Sequence, residues 1–297
     1  MKKNTRMIVL FLLPAGLFYL VFFLVPSVWA FYYSAFDWSG FSSAMKFVGF
    51  GNYVKMLTHD SIFWRSFGNT VKILFIGGGV TIGLAFFLAV LINSGIKGKK
   101  IFRALIFLPN VIATIALTTM FAFAIYSSRS GMITNFFKLI GWAPGANYLW
   151  MSSNHTFWSM LIAIIWISVG YYVVLLLAGM DKIPTEFYEA ARLEGAGLYQ
   201  QFVSVTLPLM WDVVTISIVM WAISAIKVFE FPFAFMGFSE DPSLYTIGVY
   251  LYVMGFGKRQ PIYQLGYATA IGVFMLLFVI LIAWLIRRVM NRELFQY

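Results

Sequence analysis

Long apolar runs alternate with shorter polar stretches along this chain, and this alternation predicts a bundle of membrane-spanning helices. A helix needs about 20 consecutive apolar residues to cross the hydrocarbon core of a bilayer. We expect the 297 residues to form a single transmembrane domain, all-α in class, with about six spans. The predicted spans are residues 7–36, 67–93, 102–126, 157–180, 208–233 and 264–286.

Two of these spans carry residues that predict local irregularity or close packing. We expect Pro109 and Asn110 to break the third span, because proline lacks a backbone N–H and clashes with the preceding turn. Gly79 and Gly83 form a small-xxx-small pair in the second span. Such pairs allow helix backbones to approach closely, so we expect a helix contact there.

The basic residues predict how the chain is oriented in the membrane. Cytoplasmic loops of membrane proteins carry an excess of lysine and arginine. The loop between the second and third spans has four basic residues without an acidic neighbour. We therefore expect this loop and both termini to be cytoplasmic, and we expect no nucleic-acid partner. The basic residues that predict this orientation are Lys2, Lys3, Arg6, Lys97, Lys99, Lys100, Arg103, Arg287, Arg288 and Arg292.

The composition excludes several classes of protein. Only 11% of the residues are charged, whereas soluble domains carry about a quarter. There is no cysteine, so the chain has neither disulfides nor thiolate metal sites. It also lacks a P-loop and any paired-carboxylate, nucleophile or metal constellation. We predict no catalytic residue, no metal site and no cofactor held by this chain.

The polar stretch at residues 181–207, which we call the elbow, carries its own helix signals. We expect Thr185 to cap a short helix over residues 186–194, with Glu186 and Glu189 near its positive dipole end. Gly195 and Gly197 are expected to end it by adopting positive φ.

A second short helix is expected from Leu198 to Thr206, and the alternation of spans places the elbow on the cytoplasmic side. The small side chains of Ala190 and Ala191 would allow a partner to approach closely. Glu189, Arg192 and Glu194 add charged groups nearby. A docking site and an ordinary solvated loop both remain open on these grounds.

The elbow also contains a long motif with fixed spacing. Glu189-Ala190-Ala191 is followed by three residues, Gly195, nine residues, and then Val205-Thr206-Leu207-Pro208. This pattern resembles the EAA motif of bacterial ABC importer permeases, with Val205 where the family has isoleucine. Three sequence segments are similar to those of carbohydrate-uptake permeases of the maltose-permease type. They are IPTEFYEAARLEGAG in the elbow and, elsewhere, FVGFGNYVKML and FRALIFLPNVIATIAL.

The resemblance implies a type I ABC importer permease fold in the bacterial inner membrane, working by alternating access. It implies that the elbow is a coupling helix resting in a groove of a cytoplasmic ATPase. The expected partners are membrane lipid, a second homologous permease, two copies of the ATPase, which binds ATP and Mg, and an extracytoplasmic solute-binding protein. The implied coupling residues are Glu189, Ala190, Ala191, Arg192, Glu194 and Gly195.

The fifth span holds our candidates for contact with the transported solute. Charged side chains inside a span usually face protein or a water-filled path. Lys227 and Glu230 are three residues apart, so a continuous helix would place them on one face, either paired or extended towards the interface. Trp221 and Phe229 offer rings on which a sugar could stack, but lipid or helix packing also explains both, and packing is favoured for Trp221.

Two other classes of function agree less well with the sequence. A self-sufficient secondary transporter or channel would place carboxylates within the membrane for ion coupling, but the available carboxylates lie near span ends. A membrane-bound enzyme would need a cluster of His, Asp or Glu at one depth, which the chain lacks. A permease for a solute other than a sugar also remains possible within the same architecture.

Overall fold

A computed structural model of the chain describes residues 5–94, 96–152, 155–237, 241–258 and 260–290. Most of these residues are helical, and this confirms the all-α class. Lys2, Lys3 and Arg292, which contributed to the predicted orientation, lie outside the described residues. The cytoplasmic position of the termini and of the elbow stays a prediction.

The helices follow one another along the chain with short connections. The α-helices are α1 (Thr5–Tyr19), α2 (Val25–Ser34), α3 (Gly51–Thr58), α4 (Ser61–Lys72), α5 (Gly78–Asn93), α6 (Lys99–Phe107), α7 (Thr114–Thr119), α8 (Met132–Leu139), α9 (Ala143–Ala146), α10 (Thr156–Met180), α11 (Thr185–Leu193), α12 (Leu198–Gln201), α13 (Leu207–Leu209), α14 (Trp211–Ile226), α15 (Glu230–Phe235), α16 (Ile247–Phe256) and α17 (Leu265–Met290). Segments of π-helix occupy Leu20–Leu24, Ile73–Gly77, Met120–Ile125 and Phe202–Thr206, and 3₁₀ turns occupy Leu108–Val111 and Pro242–Leu244. Two short strands, β1 (Phe36–Asp37) and β2 (Lys46–Phe47), pair antiparallel with Phe36 opposite Phe47.

Length and composition identify the helices that can cross a membrane. Among the described residues, four continuous helices qualify, and two bent pairs raise the number to six if each pair is one span. The continuous helices are Met7–Ser34, Ser61–Asn93, Thr156–Met180 and Leu265–Met290; the bent pairs are Lys99–Val111 with Thr114–Ile125 and Leu198–Leu209 with Trp211–Ile226. The single permease domain and the limits of its spans stay a prediction.

The break expected at Pro109 and Asn110 is present. Helix α6 ends at Phe107, a 3₁₀ turn follows, and Ile112 has an extended backbone with ψ 138°. The helices on the two sides of the break are bent by 95°. Pro109 lies in the first turn of the 3₁₀ segment, where its missing N–H is tolerated.

The chain folds into two compact units, one of which is Met1–Trp64 with Tyr250–Leu277. In this unit Asp60 is the main polar anchor. Its carboxylate accepts hydrogen bonds from the Phe63 backbone N–H and from the hydroxyls of Tyr250 and Tyr267. The apolar helix Met7–Ser34 is unburied in the isolated chain, so it needs lipid or another protein around it.

The other unit is Arg65–Val249 with Phe278–Tyr297. Helix α10 is its centre and packs against α5, α6 and α14. At Gly170 the neighbouring backbone is so close that a Cβ would lie 2.1 Å from the carbonyl oxygen of Ile106. Only glycine permits this approach, so the sequence at this point sets the distance between α6 and α10.

The glycines of the second span pack differently from our expectation. A Cβ at Gly78 would lie 2.5 Å from Nε1 of Trp221, and one at Gly77 would lie 3.0 Å from the same ring system. A Cβ at Gly79 or Gly83 would meet nothing within 4 Å. The expected small-xxx-small contact is therefore wrong within this unit, because the helix turns Gly77 and Gly78 inwards.

Candidate functional site

The first helix of the elbow begins at Thr185. Pro184 precedes it with an extended backbone (φ −57°, ψ 139°), and no side chain caps the helix. Thr185 has helical conformation and lies one residue inside, so the predicted capping role of Thr185 is wrong. Glu186 lies in the first turn, as expected, where its charge suits the positive end of the helix dipole. Glu189 lies beyond that turn, so the same expectation for Glu189 is wrong.

The first helix ends in a Schellman motif at Gly195. Gly195 has φ +81°, and its N–H donates to the carbonyl oxygen of Arg192 at 2.9 Å. The N–H of Ala196 reaches back to the carbonyl oxygen of Ala191, also at 2.9 Å. These are the two hydrogen bonds of that motif. The positive φ predicted for Gly195 is thus confirmed.

Gly197 has a different role from the one we expected. Its φ is −71° with an extended ψ, so the predicted positive φ is wrong. Gly197 instead precedes the second helix, and its N–H donates to Oε1 of Gln200 at 3.0 Å. That helix begins at Leu198, as expected, but it continues past the expected end at Thr206 to Leu209, with Phe202–Thr206 in π-helical form.

Side chains hold the two helices of the elbow together. The hydroxyls of Tyr188 and Thr206 lie 3.0 Å apart, and Nε2 of Gln201 donates to the carbonyl oxygen of Ala196 at 2.8 Å. The ring of Phe202 meets that of Phe86 on α5 edge-on, with 5.5 Å between centroids. The elbow is therefore a structured body that is fixed to the membrane helices at one end.

Helix α11 has one face towards a cavity and one face towards the outside. The cavity, about 410 Å³, is lined from the elbow by polar residues that include Asp181, Glu189 and Arg192, and from the neighbouring helix α6 by Lys99. Thr185, Tyr188, Gln201 and Thr206 also line it. The predicted coupling charges Glu189 and Arg192 thus lie beside a partly open cavity, and both are exposed.

The outward face combines small and apolar side chains. Ala190, Glu194 and Gly195 are exposed there, whereas Ala191 is half-buried. Beside them, Leu193 is 90% exposed, and Tyr199 on the second helix is 79% exposed. Apolar groups exposed together in this way are typical of a surface that another protein covers.

An ion pair joins the elbow to α6. Nη2 of Arg103 lies 3.0 Å from Oδ2 of Asp181, the residue that follows α10. Sequence reasoning missed this pair, since the two residues are 78 positions apart. The only signal was that each residue stands at the end of a span on the side predicted to be cytoplasmic.

Trp221 lies inside the packed helices. It is 4% exposed, and its indole N–H donates to the carbonyl oxygen of Leu74 at 2.9 Å. Gly77 and Gly78 leave the space that its ring fills. This environment supports the packing role of Trp221 over contact with a solute.

Lys227 and Glu230 do not share a helix. Helix α14 ends at Ile226, and Phe229 has a non-helical backbone (φ −134°, ψ −56°) before α15 begins at Glu230. The expectation of one common helix face is wrong, because it required a continuous helix. The carbonyl oxygen of Val228 accepts the hydroxyl of Thr246 at 2.9 Å, so this break leaves that backbone group satisfied.

The break between α14 and α15 brings the candidate path residues near the third span. Thr114, the first residue of α7, donates its hydroxyl to Oε2 of Glu230 at 3.4 Å. The ring of Phe229 stacks on that of Phe233 with 5.1 Å between centroids. Lys227 and Glu230 are exposed in the isolated chain. Thr114 is a neighbour that sequence reasoning did not assign to Glu230.

Comparison with known proteins identifies the family. Residues 79–294 match the family described as binding-protein-dependent transport system inner membrane component. A probable ABC transporter permease protein, YurN of Bacillus subtilis, is 32% identical over 93% of each chain. The diacetylchitobiose uptake system permease protein NgcF of Streptomyces coelicolor is 31% identical over 88% of this chain and 75% of the relative.

The chain belongs to this family and is an inner-membrane permease component of an ABC transporter. Its fold agrees with that of a chain in the crystal structure of a bacterial alginate ABC transporter in complex with an alginate pentasaccharide-bound periplasmic protein. The TM-score is 0.78 at 20% identity, over 98% of both chains. At that level of identity the similarity concerns the fold alone.

Proposed function

We propose that this chain is the permease subunit of an ATP-driven, binding-protein-dependent importer for a sugar or oligosaccharide, in which it forms half of the translocation path. The observation that carries the proposal is the elbow, a rigid and exposed two-helix body at the end of α10 in a chain of this family. The carbohydrate class is supported by the names of relatives such as the diacetylchitobiose permease NgcF.

The energy for transport comes from partner subunits in this proposal. Two copies of a cytoplasmic ATPase bind ATP and Mg, and one of them covers the outward face of the elbow. The exposed side chains of Leu193 and Tyr199 support this docking surface. Glu194 and Gly195 lie on the same face, whereas Glu189 and Arg192 contact the ATPase at the edge of the cavity.

Movement of the docked elbow then reorients the spans between outward and inward access. The Schellman motif and the Tyr188–Thr206 hydrogen bond support movement of the elbow as one body. A second homologous permease completes the path, and an extracytoplasmic binding protein delivers the sugar. Alternating access of this kind is largely a rigid-body motion around a central site.

The path through this chain passes the breaks in the third and fifth spans. Lys227, Phe229 and Glu230 line it, with Thr114 as a further polar contributor. A carboxylate and a hydroxyl can bond to sugar hydroxyls, and the exposure of Lys227 and Glu230 supports a water-filled environment. Trp221 does not line this path and contributes by packing between the helices.

Reconstitution tests this proposal directly. The chain is combined in proteoliposomes with its second permease, ATPase and binding protein, and uptake of labelled chito- and malto-oligosaccharides is measured with and without ATP inside. We expect uptake only with ATP and with all partners.

A substitution tests the docking surface. Leu193→Glu should abolish ATPase capture. Ile101→Glu, at another exposed apolar position, is the matched control and should leave capture unchanged. Uptake without the ATPase would favour a secondary transporter, and ATP-driven uptake of a non-sugar solute alone would contradict the sugar assignment.

A further inference from the structure

The ion pair between Arg103 on α6 and Asp181, the first residue of the elbow, connects these two parts of the chain. Nη2 of Arg103 lies 3.0 Å from Oδ2 and 3.4 Å from Oδ1 of Asp181, so one nitrogen faces both carboxylate oxygens. The side chains are 30% and 45% exposed. Solvent therefore partly screens the ion pair, so it contributes little to the free energy of unfolding. Its main effect is to fix the position of α6 relative to the elbow.

Helix α6 is fixed to α10 at two further points. The backbone of Ile106 touches Gly170, where a Cβ would lie 2.1 Å from its carbonyl oxygen. Nδ2 of Asn110 donates to the carbonyl oxygen of Ile167 at 3.1 Å. With the ion pair, these contacts attach α6 and the turn after it to α10 along their length.

Helix α6 leads into the break of the third span. After the extended residue Ile112, helix α7 starts at Thr114 in a direction that differs by 95° from α6. Thr114 contacts Glu230, the first residue of α15. A continuous series of contacts therefore runs from the elbow through α6 to the break in the third span, and from there to the first residue of α15.

We propose that the Arg103–Asp181 ion pair is a positioning contact that transmits movement of the elbow to α6 and so to the break in the third span. This inference rests on the proposed function, since only an elbow driven by an ATPase has movement to transmit. Without the pair, the end of α10 and the elbow can shift while α6 lags behind. ATP hydrolysis would then continue with less transport for each ATP.

The test measures the number of sugar molecules imported for each ATP hydrolysed by the complete complex in proteoliposomes. Asp181→Asn and Arg103→Gln should each lower this ratio by about two- to fivefold, the range expected for a partly exposed ion pair. Both variants should still capture the ATPase. The charge-swapped double variant, Arg103→Asp with Asp181→Arg, should recover most of the ratio. Lys100→Gln is the matched control, because it removes one charge from an exposed position of the same helix.

A second variant keeps the test independent of the charge change. The chain has no cysteine, so Arg103→Cys with Asp181→Cys introduces the only two thiols. A short bis-methanethiosulfonate linker between them should restore the ratio that the double substitution lowers. Reduction of the linker should lower it again.

Three results would decide against the inference. An unchanged ratio in both single variants would overturn it. Loss of ATPase capture by both single variants would also overturn it, because the pair would then belong to the docking surface. Failure of both the charge swap and the linker to restore the ratio would also overturn it. A wild-type complex that imports no sugar with ATP would overturn the proposed function as well, so the two failures are distinguishable.

Discussion

The hydroxyl groups of Tyr188 and Thr206 lie 3.0 Å apart and join the two helices of the elbow. Tyr188 belongs to α11, and Thr206 ends the π-helical segment Phe202–Thr206. Thr206 is only 5% exposed, so water competes little for this hydrogen bond. The contact matters for coupling, because a docked partner can move the elbow as a unit only if its helices stay together.

Removal of one hydroxyl from this pair should loosen the elbow. A hydrogen bond of this kind contributes about 1 kcal/mol net, so Tyr188→Phe should weaken ATPase binding by about fivefold. Binding of the purified ATPase to the chain in detergent is the measurement. Thr206→Val and the double variant complete a cycle, and the double variant should lose little more than either single one. Losses that add fully would show that the two hydroxyls act independently.

The two glycines of the elbow should respond differently to the same substitution. Gly195→Ser forces a side chain into left-handed backbone, which costs about 1–2 kcal/mol. Gly197→Ser should be tolerated, because serine suits the residue before a helix and Gly197 has negative φ. Nothing in this chain lies within 4 Å of a Cβ at either position, so within the chain the two glycines differ in backbone conformation and not in space. ATPase capture should fall only for Gly195→Ser; equal losses would contradict this explanation.

A matched pair of glycines in the second span tests the position of Trp221. Gly78→Ala places a methyl group 2.5 Å from the indole nitrogen, whereas Gly79→Ala meets nothing within 4 Å. Overpacking of this kind costs about 1–3 kcal/mol. Thermal unfolding of the chain in detergent should show a lower melting temperature for Gly78→Ala and an unchanged melting temperature for Gly79→Ala. A loss confined to Gly79→Ala would contradict the packing of Trp221 against Gly78.

The carboxylate of Glu230 should matter for uptake more than for ATP hydrolysis. Glu230→Gln removes the charge that Thr114 contacts beside the candidate path. A hydrogen bond to a charged group contributes about 1.5–3 kcal/mol, so uptake should fall about tenfold or more. Asp212→Asn serves as control, because Asp212 is an exposed carboxylate in the first turn of α14. Equal effects of the two variants on uptake would remove Glu230 from the path.

The membrane class, the all-α fold and the two-helix elbow could be predicted from the sequence, because their signals are local. Apolar runs of span length specify membrane helices wherever they occur. The break at Pro109 follows from the chemistry of one residue, and the positive φ of Gly195 follows from its place after a helix. The spacing of Glu189, Gly195 and Pro208 carried the family resemblance in the same local way.

The tertiary structure decided which side chains meet. Three-residue spacing between Lys227 and Glu230 implied contact only for an unbroken helix, and the break after Ile226 separates them. Arg103 with Asp181 and Trp221 with Gly78 are pairs of residues far apart in the chain. Their contacts depend on how whole helices pack, which periodicity and spacing do not specify, because a helical pattern shows which face is apolar and not which helix covers it.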